Sequence, residues 1–298
     1  MKQIKQNILV IKHGAFGDLI QSDGIFRTIK NKYSSSRLIL LTSSKYKNLM
    51  LSSPYIDQII VDDRFKFWNF RKILKMIDEL NIFNFSHVFD LQNSQRTLLY
   101  KNFFLKESIW VTTKRKDHPI SGLQGLVDML HDYGIPLSKI SEPNITWMAN
   151  DVSLLLKQKN ILKKYIVLIP GSSKNHREKR WPFFKELANK FLEEKIDVIS
   201  IFGPDELELS KDMPGHKFEL LNLMDVAGII NKSIFVVGND SGLSHIASCL
   251  RKPGIALFGP TTSGRKSELS RKPFHIVETL DLKELSVFEV FKIIKKLI

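Results

Sequence analysis

Apolar and polar positions along the chain alternate between two kinds of segment. Short apolar runs, NILVIK, RLILLTS, DQIIV and HVFDLQ, are separated by longer stretches such as FRKILKMIDEL, in which apolar residues recur at helical spacing. This alternation predicts strands and helices in βα order, and hence a parallel sheet covered by helices on both faces.

The same pattern begins afresh after about residue 150. The strands YIVLI, DVISIF, SIFVV and GIALF alternate with helices in PFFKELANKFLEE, where Pro182 takes the first helical position, and in DVAGIINK and SHIASCL. The chain ends with the amphipathic stretch VFEVFKIIKKLI. Pro143 and an Asn-rich stretch interrupt the periodicity between the halves. We therefore predict two doubly wound α/β domains, residues 1–153 and 154–298.

The composition fits two globular cores, since 43% of the 298 residues are hydrophobic and 26% are charged. The single cysteine, Cys249, cannot form an intramolecular disulfide, and no Cys/His pattern resembles a metal framework, which favours a reducing compartment such as the cytoplasm. No apolar segment approaches the roughly 20 residues of a membrane-spanning helix, and the N-terminal apolar run is too short for a signal peptide. We expect a soluble protein.

The formal net charge of +14 favours polyanionic partners, because lysine and arginine occur in both halves of the chain. Phosphorylated substrates and the anionic inner leaflet of a membrane fit equally well. No helix-turn-helix, zinc-finger or RNA-binding signature accompanies the charge, so we do not expect a nucleic-acid partner. A lysine-rich surface without any specific partner is the alternative.

The turn GAFGD follows the first predicted strand. Ligands of open parallel sheets bind beyond the carboxyl ends of the strands, and Gly14 and Gly17 clear side chains from both flanks of this turn. Asp18 could there accept a proton from a substrate hydroxyl, or simply cap the following helix. The turn lacks the third glycine of the dinucleotide fingerprint and the Gly-Lys-Ser/Thr ending of a phosphate-binding loop.

Two segments of the second half combine chemistry at strand ends. GNDSGLSHIASCL opens a helix after an apolar strand, a geometry that suits a diphosphate; His245 could reach the same place or pack inside. GSSKNHREKRWP is rich in hydroxyls and cations, so Lys179 or Arg180 could neutralise a departing phosphate. GPTTSGR adds further hydroxyls and Arg265.

Together these residues resemble glycosyltransferase family 9, whose best-known members are ADP-heptose:lipopolysaccharide heptosyltransferases. The resemblance rests on ILVIKHGAFGDLIQSDGIFRTIKNKY, FDLQNSQR, VLIPGSS with KRWPFFKELA, and VVGNDSGLSHIASCLRKPGIALFGPTTSGR, in that order along nearly the whole chain. It implies a GT-B fold, in which two Rossmann-like domains face each other across a cleft. The N-terminal domain would bind the acceptor and the C-terminal domain the nucleotide sugar, and the last helix could pack back on the N-terminal domain.

The resemblance also implies roles for individual residues. Asp18 matches the catalytic base, and Lys179 is assigned to catalysis with it. The matched donor-binding positions are Ser172, Ser173, Arg180, Glu206, Asn239, Asp240, Ser241, Gly242 and His245. Candidate acceptor contacts are Gly14, Gly17, Gln92 and Arg96, and the basic run Lys114, Arg115 and Lys116 is a further candidate or merely a solvated surface. The loop before Lys179 is longer than the common form, which leaves Lys179 and Arg180 as alternative phosphate contacts.

The implied activity is inverting, metal-independent transfer of a heptose or related sugar from an ADP-sugar to a lipopolysaccharide core or similar glycan. It would need no cofactor and no metal site. The expected partners are a nucleotide sugar and an anionic glycolipid or glycan, with peripheral contact to the inner membrane surface as a further expectation. A nucleotide-sugar epimerase or hydrolase, or a non-catalytic polyanion-binding protein, remain alternatives.

Overall fold

A computed structural model describes residues 6–66, 68–113, 122–260 and 267–298. The chain divides into two compact units, Met1–Pro143 and Asn144–Ile298. The sequence pattern places the domain boundary at residue 153, whereas internal contacts place it after Pro143, within the Asn-rich stretch.

The N-terminal unit contains a parallel sheet with helices between successive strands. Its strands are β1 (Asn7–Ile11), β2 (Arg37–Thr42), β3 (Gln58–Val61), β4 (Phe85–Asp90) and β5 (Ile109–Thr112). Its helices are α1 (Phe16–Gln21), α2 (Asp23–Lys32), α3 (Lys47–Leu51), α4 (Phe70–Asn81), α5 (Gln95–Leu99), which continues as a π-helical turn (Tyr100–Phe104), and α6 (Gly122–Asp132).

The C-terminal unit repeats this architecture. Its strands are β6 (Tyr165–Ile169), β7 (Asp197–Phe202), β8 (His216–Glu219), β9 (Phe235–Asn239), β10 (Gly254–Phe258) and β11 (Phe274–Glu278). Its helices are α7 (Ser153–Gln158), α8 (Phe184–Glu193), α9 (Leu207–Ser210), α10 (Leu223–Lys232), α11 (Gly242–Cys249) and α12 (Val287–Leu297).

Strand order shows where ligands can bind in each unit. The N-terminal sheet has the order β3-β2-β1-β4-β5 and the C-terminal sheet the order β11-β10-β9-β6-β7-β8, and the paired strands are parallel. In both, the chain starts at a central strand and then reverses direction across the sheet, as in dinucleotide-binding folds. The reversal lies between β1 and β4 in one sheet and between β6 and β9 in the other. Ligand sites are therefore expected at the carboxyl ends of these four strands.

Each sheet is buried between helices. Central strands such as β6 are buried at every position, which explains their continuous apolar sequence. Helix α4 contributes Met76 and Leu80 to the N-terminal core. Val290 and Ile294 of α12 are buried in the core of the C-terminal unit. The implied contact of α12 with the N-terminal domain remains a prediction.

The predicted parallel α/β architecture is confirmed, but several short elements escaped the pattern. Strands β5 and β8 are edge strands with one buried side chain each. β8 (HKFE) has no apolar run, and the apolar residues of β5 (IWVT) form a run of only three. The position assigned to Pro182 is wrong, because α8 begins at Phe184 after a turn. Within the described parts of the chain, no helix combines the length and apolarity required to cross a bilayer.

Candidate active site

The first candidate site lies in the N-terminal unit, where the chain leaves β1 and enters α1. Gly14 has φ +131°, a backbone conformation that glycine adopts readily and other residues rarely do. A Cβ at this position would also lie 3.0 Å from Cε2 of Tyr46. Glycine is therefore required here by the conformation of the turn.

Asp18 is the third residue of α1 and points its carboxylate toward solvent. The N-cap of this helix is Ala15, and no side chain makes a capping hydrogen bond. The Asp18 side chain is 58% exposed, while Gly17 beside it is buried. The alternative that Asp18 serves as the helix N-cap is therefore wrong, and its carboxylate is accessible to a substrate.

Lys12 places a buried cation beside this carboxylate. Its Nζ lies 3.8 Å from Oδ2 of Asp18 and donates a 3.4 Å hydrogen bond to the carbonyl of Leu91, just beyond β4. Burial lowers the pKa of the Lys12 ammonium, and the charges of Asp18 and Asp90 only partly oppose this. The residues that directly follow β1 and β4, the two strands at the topological reversal, thus form one site. Lys12 supplies a cation, and the Leu91 carbonyl holds it.

Behind the turn lies a buried hydrogen-bond network centred on Asp62, the residue after β3. Its carboxylate accepts bonds from Nε2 of His13 at 2.8 Å and from Nη2 of Arg96 at 2.8 Å. The hydroxyl of Tyr100 and the backbone N–H of Arg64 also donate to it. The Asp62 side chain is fully buried. The residue preceding Gly14 is therefore fixed by a side chain from another strand end.

Asp62 remains ionised within this network. Burial alone would raise the pKa of its carboxyl, but hydrogen bonds from His13, Arg96 and Tyr100 outweigh burial and lower the pKa well below its usual range. The pKa of Arg96 is raised, since Asp62 more than offsets the burial of the guanidinium. The network is thus a compensated buried ion pair rather than a neutral cluster.

Two predicted acceptor contacts belong to the same region. The side-chain oxygen of Gln92 accepts the backbone N–H of His13 at 3.0 Å, which places Gln92 next to the turn. Arg96 is turned toward Asp62 and the carbonyl of Phe65, and 19% of its side chain is exposed. The predicted run Lys114–Lys116 lies outside the described residues.

The second candidate site lies in the C-terminal unit, at the ends of β6 and β9. Nζ of Lys179 donates to Oδ2 of Asp240 at 2.6 Å, and both side chains are largely buried. Nearby, Nε and Nη2 of Arg180 donate to the hydroxyl and carbonyl of Ser172 at 3.1 and 3.3 Å. Ser173 is exposed. Lys179 thus contacts the turn after β9, whereas Arg180 contacts the turn after β6.

Glu206 lies against the turn that follows β6. One carboxylate oxygen accepts the Gly203 N–H at 2.8 Å, and the Ser172 N–H also donates to the carboxylate. A Cβ on Gly171 would lie 1.8 Å from Oε1 of Glu206, so glycine is needed for this approach. Burial raises the pKa of Glu206, although these bonds and the charge of Arg180 oppose it.

The turn after β9 is held by buried polar side chains. Asn239 is fully buried: it accepts the Trp181 N–H at 2.9 Å and donates to the Pro170 carbonyl at 2.8 Å. Ser244 donates to the Asn239 carbonyl at 2.6 Å. Asn239 therefore shapes the turn instead of lining its surface.

The remaining predicted residues of this turn lie at the start of α11. Ser241 is the N-cap but its side chain makes no capping bond, Gly242 is the first helical residue, and His245 is half-buried. Helix α11 thus directs its positive N-terminal end toward the carboxyl edge of the sheet. Arg265 lies outside the described residues.

A family model described as "Glycosyltransferase family 9 (heptosyltransferase)" matches residues 113–292, which is more than half of the chain. The chain belongs to glycosyltransferase family 9. It is 25% identical over 299 aligned residues to a Campylobacter coli protein named lipopolysaccharide heptosyltransferase 1, with 87% of this chain and 86% of the relative covered.

Solved structures show the same fold. The Escherichia coli ADP-heptose lipopolysaccharide heptosyltransferase II matches with a TM-score of 0.79 and 18% identity, over 98% of each chain. An E. coli heptosyltransferase with ADP-2-deoxy-2-fluoro heptose matches with a TM-score of 0.74 and 14% identity, over 98% of this chain and 99% of the other. The family 9 enzyme therefore has the GT-B fold of two parallel α/β domains.

The residues that support the first site of the glycosyltransferase do not stand out in its sequence. Lys12 and His13 lie within the segment ILVIKHGAFGD, but no local pattern indicates a role for them or for Tyr100, because their partners come from distant strand ends. Asp62 did have a signal, because an acidic residue directly follows the apolar strand QIIV. Only the order of strands in the sheet places that residue beside His13.

Proposed function

We propose that this glycosyltransferase transfers a heptose or closely related sugar from an ADP-sugar to a lipopolysaccharide core or similar glycan, with inversion at the anomeric carbon. The observation that carries the proposal is the solvent-accessible carboxylate of Asp18 beside a buried lysine at the reversal point of the first sheet. The names of the related and structurally similar proteins support heptose and ADP as parts of the donor.

Asp18 would act as the general base. As the acceptor hydroxyl attacks the anomeric carbon, its proton passes to Asp18, a new C–O bond forms, and the bond from that carbon to the diphosphate oxygen breaks. The electron pair leaves with ADP. A good leaving group makes a protonating acid unnecessary, so one carboxylate is sufficient.

The C-terminal site would hold the donor. Departure of ADP leaves negative charge on the diphosphate, and preorganised cations and amides stabilise such charge most effectively in a partly buried site. Lys179 and Arg180 would supply the cations, and the N-terminal end of α11 would supply backbone amides. Asp240 orients Lys179 in the free protein, and on donor binding it would face the sugar hydroxyls.

Glu206 would contact the ribose, since a carboxylate accepts hydrogen bonds from vicinal hydroxyls. Gly171 permits its close approach to the turn that holds Ser172. Because these cations and amides suffice for the charge on ADP, the proposed reaction needs no metal ion, and it should continue in the presence of a chelator.

The test is incubation of the purified protein with ADP-heptose and a heptose-free lipopolysaccharide core acceptor, in buffer with EDTA. Mass spectrometry should show one added heptose, and NMR of the product should show an anomeric configuration opposite to that of the donor. A parallel thermal-shift series with ADP, UDP and GDP should show stabilisation by ADP. Stabilisation by UDP or GDP alone would overturn the donor assignment, and release of free sugar without an acceptor would favour a hydrolase.

A further inference from the structure

We infer that one face of the N-terminal unit binds the surface of an anionic lipid bilayer. This face, the aromatic–basic face, consists of the outward side chains of residues 64–66, 68–75 and 98–104. The inference deepens the proposed function and rests on it, because it concerns a lipid-linked acceptor. Vesicle binding can nevertheless be measured without any transfer.

Large apolar side chains of this face point into solvent. The exposed fractions are 72% for Trp68, 59% for Phe70, 52% for Leu74 and 64% for Phe103. Single exposed apolar residues are ordinary, but four such side chains on neighbouring segments, three of them aromatic, are typical of an interaction surface. Tryptophan in particular is enriched where a bilayer meets water.

The two segments are neighbours on the same side of the sheet. Met76 of α4 and Tyr100 of the π-helical turn belong to the same core cluster, and the Tyr100 hydroxyl lies 3.9 Å from the Met76 sulfur. Arg96 donates to the carbonyl of Phe65 at 2.9 Å. The outward sides of α4 and of residues 98–104 therefore face away from one common core.

Lysine and arginine outnumber acidic residues around these apolar side chains, and Asp63 and Glu79 lie at the border of the face, beside Phe65, Lys72 and Lys75. Residues 64–77 include five lysines and arginines and no acidic residue, and residues 91–106 include three and no acidic residue. Nζ of Lys66 lies 4.8 Å from the Trp68 ring centre, and Nζ of Lys72 lies 5.2 Å from that of Phe65. Cations that flank aromatic and aliphatic side chains complement an anionic bilayer, in which the ring enters the interface and the ammonium meets the headgroup phosphate.

The face is coupled to the catalytic turn within the same unit. The Phe65 carbonyl is bound by Arg96, Arg96 pairs with Asp62, and Asp62 holds His13 next to Gly14. A glycolipid acceptor keeps its lipid in the bilayer, so its sugar can reach Asp18 only if the site works close to the membrane surface. The aromatic–basic face would keep the Asp18 turn at that surface.

The test is co-sedimentation of the full-length protein with vesicles of phosphatidylcholine alone or with phosphatidylglycerol added. We expect binding only to the anionic vesicles, weakened by physiological salt and reduced at least about tenfold in the double variant Trp68→Ser, Phe103→Ser. Leu162→Ser, Leu280→Ser is the matched control, because both leucines are highly exposed in the C-terminal unit, at 78% and 89%. This control should bind as well as the unmodified protein.

Binding to neutral and anionic vesicles alike, equal loss in both double variants, or binding to polynucleotides but not to vesicles would overturn the inference. Transfer to a water-soluble acceptor should be unchanged in Trp68→Ser, Phe103→Ser. Loss of vesicle binding in Trp68→Ser, Phe103→Ser but not in the leucine control, with transfer to the water-soluble acceptor intact in both, supports docking through this face. Vesicle binding as described, in a protein that transfers no sugar, would instead overturn the proposed function alone.

Discussion

Nζ of Lys12 lies 3.8 Å from the carboxylate of Asp18, and only the aspartate is open to solvent. The lysine is held by the Leu91 carbonyl beyond the neighbouring strand. An exposed carboxylate thus lies beside a buried cation, and the sheet fixes the position of that cation. This contact connects the fold to the proposed chemistry, and substitution of either Lys12 or Asp18 can test it.

Replacing Lys12 by methionine should reduce the rate of transfer while the protein stays folded. Methionine fills a similar volume without a buried charge, so stability should change little. The carboxylate loses the cation that orients it, and we expect kcat to fall roughly tenfold with an unchanged KM for the donor. Steady-state kinetics and thermal unfolding check this. Full activity in the variant would show that the lysine is only structural.

The lowered pKa of Lys12 predicts the alkaline limit of activity. Below that pKa the ammonium is charged and supports Asp18; as pH rises through it, the charge and the orientation are lost. Because burial places the pKa below the ordinary value of 10.5, kcat should begin to fall at lower pH than an unperturbed lysine would allow. Single-turnover rates across alkaline pH measure this. Lys12→Met should lack the decline, and an identical decline in both proteins would assign it to another group.

The substitution Asp62→Asn should destabilise the N-terminal unit strongly. It leaves the buried Arg96 guanidinium without its counter-charge, which typically costs about 3 kcal/mol or more. Hydrogen exchange of peptides from β1 and β3 measures the loss at neutral pH. Asp132→Asn, at the exposed end of α6, is the control and should have little effect.

The same variant also predicts a pH dependence with a defined sign. The folded-state pKa of Asp62 is lowered, so its stabilisation is present above the unfolded-state value near 4 and is lost as pH falls toward the folded-state value. The stability difference between the unmodified protein and Asp62→Asn should therefore shrink by about 1 kcal/mol between pH 5 and pH 3. A constant difference would mean that folding does not lower the pKa of Asp62.

Gly171→Ala tests the donor site without removing a polar group. The new Cβ would occupy the place of the Glu206 carboxylate, which is the movable end of a side chain, so the carboxylate should be displaced at little cost in stability. We expect the KM for the donor to rise roughly tenfold, as it should in Glu206→Gln. Gly125→Ala is the control, because its Cβ would meet only a Thr113 methyl at 4.0 Å. An unchanged KM in Gly171→Ala would contradict the proposed contact of Glu206 with the donor.

Some features of the enzyme follow from sequence and others require the fold. Apolar runs predicted most strands because a strand buried on both faces must be apolar throughout, as in YIVLI. Edge strands such as HKFE bury one residue and carry no such signal. Gly14 and Asp18 could be singled out because a glycine turn with an acid after a strand is a local pattern.

The supporting residues could not be found in this way. Lys12 contacts a carbonyl 79 residues away, and His13 contacts a carboxylate 49 residues away. Such pairs depend on strand order and register, which no local pattern encodes. Local pattern also does not distinguish the contacts of two adjacent predicted donor residues. Asn239 holds the turn together, whereas Asp240 pairs with Lys179.

The most direct test of the account is the transfer rate of Asp18→Asn, measured together with its affinity for ADP. Asparagine keeps the size of the side chain but cannot accept the proton, and the residues of the proposed donor site belong to the other unit. We predict a loss of transfer of at least about 100-fold with ADP affinity unchanged. Transfer at the normal rate by a folded Asp18→Asn protein would contradict it.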